Sequence, residues 1–170
     1  SDLCLLSCLC IDNARFRPTS SAIEKSFDFI FCSRIEAAKS PEFALEVAQK
    51  TALLLNRRTR ILFVGSGSQE QAVRNFAGNY AQQVDAHFHG FASQQDLPAL
   101  YQSAKIFLFP THTDVWGIVA NEACAAGLPI LISPYAGAAG ELVLDGENGF
   151  VRKLELAAWT ECAQRLLTDT

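Results

Sequence analysis

The 170-residue sequence has no apolar run long enough to cross a bilayer, no excess of positive charge and no C-x-x-C cysteine pair. Each absence removes a class of function. The longest apolar stretch near the start, LCLLSCLCI up to Ile11, is far short of the ~20 residues a membrane span requires and has no positive flank of a signal peptide. The expectation is a cytoplasmic chain without a transmembrane segment. Lysine and arginine number 14 against 18 acidic residues, a formal charge of −4. A general nucleic-acid surface needs a basic stripe to neutralise phosphates, so nucleic acid is not an expected partner and any phosphate site must be local. Six cysteines are present (Cys4, Cys8, Cys10, Cys32, Cys124, Cys162), yet none forms a C-x-x-C pair, and the cluster at Cys4, Cys8 and Cys10 lacks a second pair or nearby histidines. Packing as reduced thiols is the reading. His87, His89 and His112 show no metal spacing and no Asp-x-Asp occurs, so neither a metal nor another cofactor is expected. Internal repeats and Gly/Ser-rich linkers are also missing.

What is present is an ordinary globular composition, 49% apolar and 19% charged, at a length that lets one domain bury roughly 70% of its unfolded surface. From Phe27 onward, short apolar runs alternate with helical patterns. Strands are predicted at 27–33, 60–64, 86–89, 105–109, 129–133 and 149–151. Helices are predicted at about 41–56, from Ser68 with that serine as cap, at 94–103, 117–126 and about 156–167. Alternating strands and helices, with strands apolar on both faces, indicate an α/β fold: a doubly wound, Rossmann-like parallel sheet of about six strands with helices on both faces. Residues 1–26 read as a connector and 27–170 as the domain. In this class ligands bind at the carboxyl ends of the strands, where the unusual polar residues fall.

Arg34 and Lys39 follow the first strand and are placed to hold a diphosphate through charge-assisted hydrogen bonds; a solvated surface pair is the plain alternative. Gly65-Ser66-Gly67 ends the second strand. Its glycines allow a close backbone approach, but Gly-x-Gly-x-x-Glu lacks the third glycine of a dinucleotide fingerprint, and a tight turn explains it equally. Asp114 and Glu122 lie eight apart, with Trp116-Gly117 opening the helix that carries Glu122. The amides of Gly117, Ile118 and Val119 offer a helix N-terminus to phosphate or sugar hydroxyls, and flanking carboxylates suit hydroxyl ligands. The alternative is that Asp114 caps the helix and Glu122 is solvated. His112 follows a strand end and is a candidate pocket residue. The small residues from Ala136 to Glu141 suit a loop that approaches another group closely, and Asp145-Gly146 and Asn148-Gly149 read as consecutive turns.

In order, Ser33-Arg34-Ile35 with Lys39, Val64-Gly65-Ser66-Gly67, Pro110 to Gly117, Asn121-Glu122-Ala123 through Gly127-Leu128-Pro129, Ala136 to Glu141, and Asp145 to Phe150 make six blocks. Together they resemble the carboxy-terminal, donor-binding domain of the GT-B-fold retaining glycosyltransferases of family 4, or group 1, from about Ile11 to the end. The resemblance implies that Arg34 and Lys39 hold the donor pyrophosphate and stabilise it as leaving group. Glu122 would accept hydrogen bonds from ribose hydroxyls, and Asp114 with the amides of Gly117 to Val119 would face the donor sugar and distal phosphate. Gly65 to Gly67 and the segment at Phe91 would border nucleoside and base. Three positions depart from the family pattern: Asp114 replaces a glutamate, Trp116 a phenylalanine, and Ser40 the glycine after the lysine.

The resemblance further implies a nucleoside-diphosphate sugar, of UDP or GDP type, as partner, and an amino-terminal acceptor domain of the same protein as the other half of the enzyme. Any peripheral membrane association would come through that half, and this half alone is not expected to transfer sugar. Rival readings are an NAD-binding domain, a sugar-nucleotide epimerase or phosphorylase-like enzyme of the same fold, a hydrolase using Asp114 and Glu122, and a non-catalytic nucleotide-sugar-binding module.

Overall fold

The computed structural model of the chain describes residues 11–17 and 25–168. Cys4, Cys8 and Cys10 lie outside the described residues. A short helix α1 (Asn13–Phe16) precedes β1 (Phe27–Cys32), a single 3-10 turn at Ala37–Lys39, α2 (Pro41–Leu55), β2 (Thr59–Val64), α3 (Glu70–Gly78) and β3 (Val84–Gly90). Then follow α4 (Leu97–Gln102), β4 (Ala104–Phe109), α5 (Ile118–Ala125), β5 (Ile130–Ile132), β6 (Gly149–Val151) and α6 (Leu156–Thr168).

All six strands pair in parallel in the order β3-β2-β1-β4-β5-β6. The chain builds outward from β1 on one side, then returns to its other flank with β4, so the winding reverses between β1 and β4. That is the doubly wound arrangement expected from the sequence, and the reversal opens a crevice at the carboxyl ends of the central strands.

Strand residues alternate between two cores, as a period of two requires. Ile30, Cys32, Leu62, Val64, Phe107 and Phe109 pack with α4, α5 and Phe16 of α1 on one face. Phe29, Phe31, Ile61, Phe63, Ile106 and Leu108 pack with α2, α3 and Trp159 of α6 on the other. Each fully buried Phe or Ile contributes roughly 1.5–3 kcal/mol, so the strands are fixed by burial on both sides. Their carboxyl ends can therefore carry polar groups that serve no packing role.

Helix starts differ from the sequence expectation by two or more residues in two places. α3 begins at Glu70 with no side-chain cap, because Ser68 turns away: its hydroxyl donates to Glu36 Oε2 at 2.6 Å and its amide to Oε1 at 2.9 Å. A carboxylate is a stronger acceptor partner for the serine than the helix end is a donor, and the contact ties the Gly65–Gly67 loop to the loop after β1. α4 begins at Leu97, three residues later than the pattern suggested, since Pro98 fits the first turn of a helix and Ser93 and Asp96 close a preceding turn. Residues 13–16, in the stretch read as a connector, form α1, which packs on α4 and α5 with Phe16 buried.

Candidate functional site

At the carboxyl ends of β1 and β2, a cleft of about 260 Å³ is walled by Ser33, Arg34, Gly65, Ser66, Phe91, Gln94, Ile118, Val119 and Glu122, among others. Larger depressions of about 590, 410 and 390 Å³ lie elsewhere. None of them is lined by Arg34 or Glu122, so volume alone does not locate the site.

Two glycines make the cleft possible. Gly65 has φ +124°, and a Cβ there would sit 2.0 Å from the Ser33 carbonyl oxygen; only a bare backbone can pass between β1 and its ligand face. Gly117 has φ +92° and ends α5 as its N-cap, where a Cβ would meet the Phe109 ring at 2.5 Å. The helix therefore starts at Ile118, one residue later than predicted. Its first turn, at Ile118 and Val119, leaves amide donors without intrahelical partners at the cleft wall.

Glu122 is 6% exposed. Its Oε2 accepts a 2.9 Å hydrogen bond from the hydroxyl of Tyr101, a fully buried residue. Burial pushes the Glu122 carboxyl above the usual carboxylate range, opposed by the Tyr101 hydrogen bond and by the positive charge of Arg15. A carboxylate desolvated this far with one neutral donor is a poor structural device and a good acceptor for an incoming hydroxyl.

Arg34 is exposed, lines the cleft, and forms no salt bridge among the described residues. Lys39 is different. It is 7% exposed, and its three donors are engaged at 2.7 Å by Asp114 Oδ2, at 2.8 Å by the Thr113 carbonyl and at 3.3 Å by Thr111 Oγ1. Arg34 and Lys39 thus do not converge on one cleft in this structure. Asp114 is shaped to this pairing: Oδ1 takes the Trp116 amide at 3.2 Å, and its backbone is pinned by the loop that follows β5, through Gly137 N to Asp114 O and Asp114 N to Tyr135 O. The small-residue stretch at 136–141 accordingly does approach another group closely, namely the Asp114–Trp116 backbone.

The remaining predicted residues divide. Gly65, Ser66, Phe91, Ile118 and Val119 line the cleft with Glu122, and Phe91 stands 83% exposed at its mouth. Gly67 lies behind the loop against Ile35 and Glu36. Trp116 packs partly into the core beside α5 and donates its indole N–H to Asn121 Oδ1 at 2.7 Å. His112 lines a separate groove with Ser40, Phe43 and Leu154. Asp145 and Asn148 stabilise turns, accepting the Val151 and Leu144 amides. Sequence reasoning missed Tyr101, Gln94 and Arg15. No local pattern marks them; Arg15 reaches the cleft only because α1 docks there, donating to Gln94 Oε1. Among the described residues no group of three metal-ligating side chains occurs and no helix is long and apolar enough to cross a membrane.

A doubly wound parallel sheet with its cleft beside the winding reversal defines a Rossmann-like α/β domain. Residues 12–169 match the family model described as glycosyl transferases group 1, and the chain belongs to that family. It is 29% identical over 148 residues to a D-inositol 3-phosphate glycosyltransferase of Corynebacterium aurimucosum, covering 82% of this chain and 34% of the relative. Its fold is similar to that of Anabaena Alr3699/HepE, solved in complex with UDP-glucose, with a TM-score of 0.79, 20% identity, and coverage of 94% of this chain and 46% of that one. It is also similar to the C-terminal domain of a glycosyl transferase group 1 family protein, LpcC, from Francisella tularensis. There the TM-score is 0.75 at 18% identity, over 95% of this chain and 98% of that one. The chain spans 40% or less of the length of the first curated relatives it matches.

Proposed function

We propose that this chain is the donor-binding domain of a retaining glycosyltransferase that moves a sugar from a nucleoside-diphosphate sugar, of UDP or GDP type, to a glycan, lipid or other acceptor. The observation that carries the reading is the cleft itself: a buried Glu122 with one hydrogen-bond partner among the described residues and an exposed Arg34 line it together with the Gly65–Ser66 turn, at the amino end of α5. In this reading Glu122 accepts the ribose hydroxyls, Phe91 and the Gly65–Gly67 turn border base and nucleoside, and Arg34 meets the diphosphate. Lys39 reaches the same diphosphate by exchanging its Asp114 and Thr111 partners for phosphate oxygen. Asp114 and the first-turn amides of α5 then face the distal phosphate and sugar.

Negative charge grows on the departing diphosphate as the anomeric bond breaks. Cations and amides fixed in advance stabilise that charge more than they stabilise the ground state, each contact being worth about 3 kcal/mol in comparable sites. Leaving-group stabilisation by side chains and helix dipole calls for no metal. The acceptor is held by an amino-terminal domain of the same cytoplasmic protein, so this domain binds donor without transferring sugar alone.

Calorimetric titration with UDP, GDP, ADP and NAD tests the reading. A nucleoside diphosphate is expected to bind in preference to NAD, unaffected by EDTA, with binding weakened about tenfold or more by Arg34→Ala or Glu122→Ala. Preferential NAD binding would sink the proposal, and sugar transfer at an ordinary rate by this chain would sink its division of labour.

A further inference from the structure

Tyr101 is the largest polar side chain fully enclosed beneath the cleft, with no exposed surface. It belongs to α4, 21 residues before Glu122, and approaches from below the cleft floor. Its ring is held edge-on by Phe16 at 6.0 Å and by Phe107 at 5.8 Å between centroids. A ring clamped by two aromatic neighbours has one position for its hydroxyl. Three groups are within reach of that hydroxyl: Glu122 Oε2 at 2.9 Å, the Val119 carbonyl at 3.4 Å, and the Cys32 thiol. The carbonyl and the carboxylate only accept, so the single phenolic proton goes to the nearer and charged acceptor, Glu122. Cys32, whose thiol is pushed up to about 12 mainly by burial, keeps its proton.

The other carboxylate oxygen, Oε1, has no protein partner among the described residues, yet it is not one of the sealed, unpaired polar atoms. The side chain lines the cleft, and Oε1 is the atom left to a ligand. We propose that Tyr101 is the positioning residue of Glu122: its enclosed hydroxyl anchors Oε2 so that Oε1 is presented to the vicinal hydroxyls of a ribose. The inference rests on the reading of Glu122 as the ribose acceptor and adds to it the group that sets the direction of acceptance. Without the anchor, a desolvated carboxylate turns toward water or another donor, and the cleft loses its preference for ribose over deoxyribose while keeping its hold on phosphate and base.

The test compares UDP with dUDP, and GDP with dGDP, by calorimetry on the 170-residue chain and its variants. The wild type is expected to prefer the ribonucleotide by about tenfold, the value of one charge-assisted hydrogen bond. Tyr101→Phe, which keeps the ring and removes the hydroxyl, is expected to weaken ribonucleotide binding roughly five- to tenfold and to leave deoxynucleotide binding within about twofold. Equal weakening of both would mean a structural role only and would overturn the proposal, as would an unchanged ratio. If Tyr101→Phe does not fold, Glu122→Asp carries the test. It retains the charge but draws the carboxylate away from the Tyr101 hydroxyl, so its ratio is expected to collapse, and a retained ratio overturns the proposal. Glu122→Ala separates the two levels: if it leaves the ratio intact, Glu122 is not the ribose acceptor and the underlying reading fails. If it removes the ratio while Tyr101→Phe does not, the positioning role alone fails.

Discussion

Asp28 and Glu122 are buried to the same degree, 5% and 6% exposed, and lie at opposite ends of the same sheet. Asp28, near the amino end of β1, accepts two 2.9 Å bonds from Arg57, one at 3.1 Å from the Arg60 amide and one at 3.2 Å from Lys105. Burial pushes its carboxyl up, but these partners outweigh it and hold it below its ordinary value. Glu122 has one neutral side-chain donor, and burial wins. Equal desolvation with opposite outcomes separates a carboxylate whose acceptors are filled from within the fold from one whose acceptors are left to an outside donor.

Removing each carboxylate should break the fold at one end and the function at the other. Asp28→Ala strands the Arg60 amide and frees two half-exposed cations; it is expected to cost about 2–3 kcal/mol in urea unfolding, with nucleotide affinity unchanged in the folded protein. Loss of affinity in a fully folded Asp28→Ala would mean that the two ends are coupled. Glu122→Gln should do the reverse. It relieves a desolvated charge, so unfolding stability is expected to stay equal or rise slightly, while nucleoside diphosphate binding weakens about tenfold, equivalent to ~1.4 kcal/mol.

The pH dependences should also oppose each other. Asp28 has a depressed folded-state pKa, so its stabilisation is complete above its unfolded value of 3.8 and is lost as pH falls below it. Glu122 has a raised folded-state pKa, so the folded form holds its proton longer, and stability is lost as pH rises from its unfolded value of 4.5 through the folded one. Unfolding of Glu122→Gln across this range should therefore lack the decline that Glu122 adds to the wild type. Nucleotide binding by the wild type should weaken on acidification above pH 4.5, as Oε1 loses its negative charge. A binding profile flat down to pH 4.5 would count against Glu122 as acceptor.

The parallel sheet, its six strands and most helix positions follow from apolar periodicity and the punctuation of Gly and Pro, because a strand buried on both faces has to be apolar throughout, whereas the order of the strands is seen only in the fold. Arg34 and the Gly65 turn stood out for a related reason, since polar residues and glycine immediately after such a strand are conspicuous, and Glu122 stood out as a carboxylate on the helix that Trp116-Gly117 opens. Tyr101 and Arg15 did not, since one sits in an apolar helix where an aromatic residue reads as packing and the other in a segment with no strong period. Their roles exist only once α4 and α1 are laid over α5. The Lys39–Asp114 pair was half legible: both residues stood out, but spacing 75 apart in sequence carries no sign that each would be the other's partner.

Ser40 is the third and smallest way to test the comparison, at the carboxyl end of β1 beside Lys39. Its backbone is left-handed, φ 49° and ψ 52°, and its Oγ is buried without a partner. That conformation explains why glycine is the residue the family pattern places here: a side chain in this region costs roughly 1–2 kcal/mol, and a sealed hydroxyl adds about 1 kcal/mol more. Glycine's extra freedom in the unfolded chain gives back roughly 0.5–1 kcal/mol, so Ser40→Gly is expected to stabilise the fold by about 1 kcal/mol. For a chain of this size that raises Tm by about 2–4 °C in calorimetric unfolding. Nucleotide affinity is expected to hold, because the Ser40 side chain makes no hydrogen bond to Lys39 and the cleft does not include Ser40. A gain in stability accompanied by a loss of binding would instead show that the strain at Ser40 sets the position of Lys39. The carboxyl end of the sheet would then hold a conformational cost for function, as Glu122 already holds an electrostatic one.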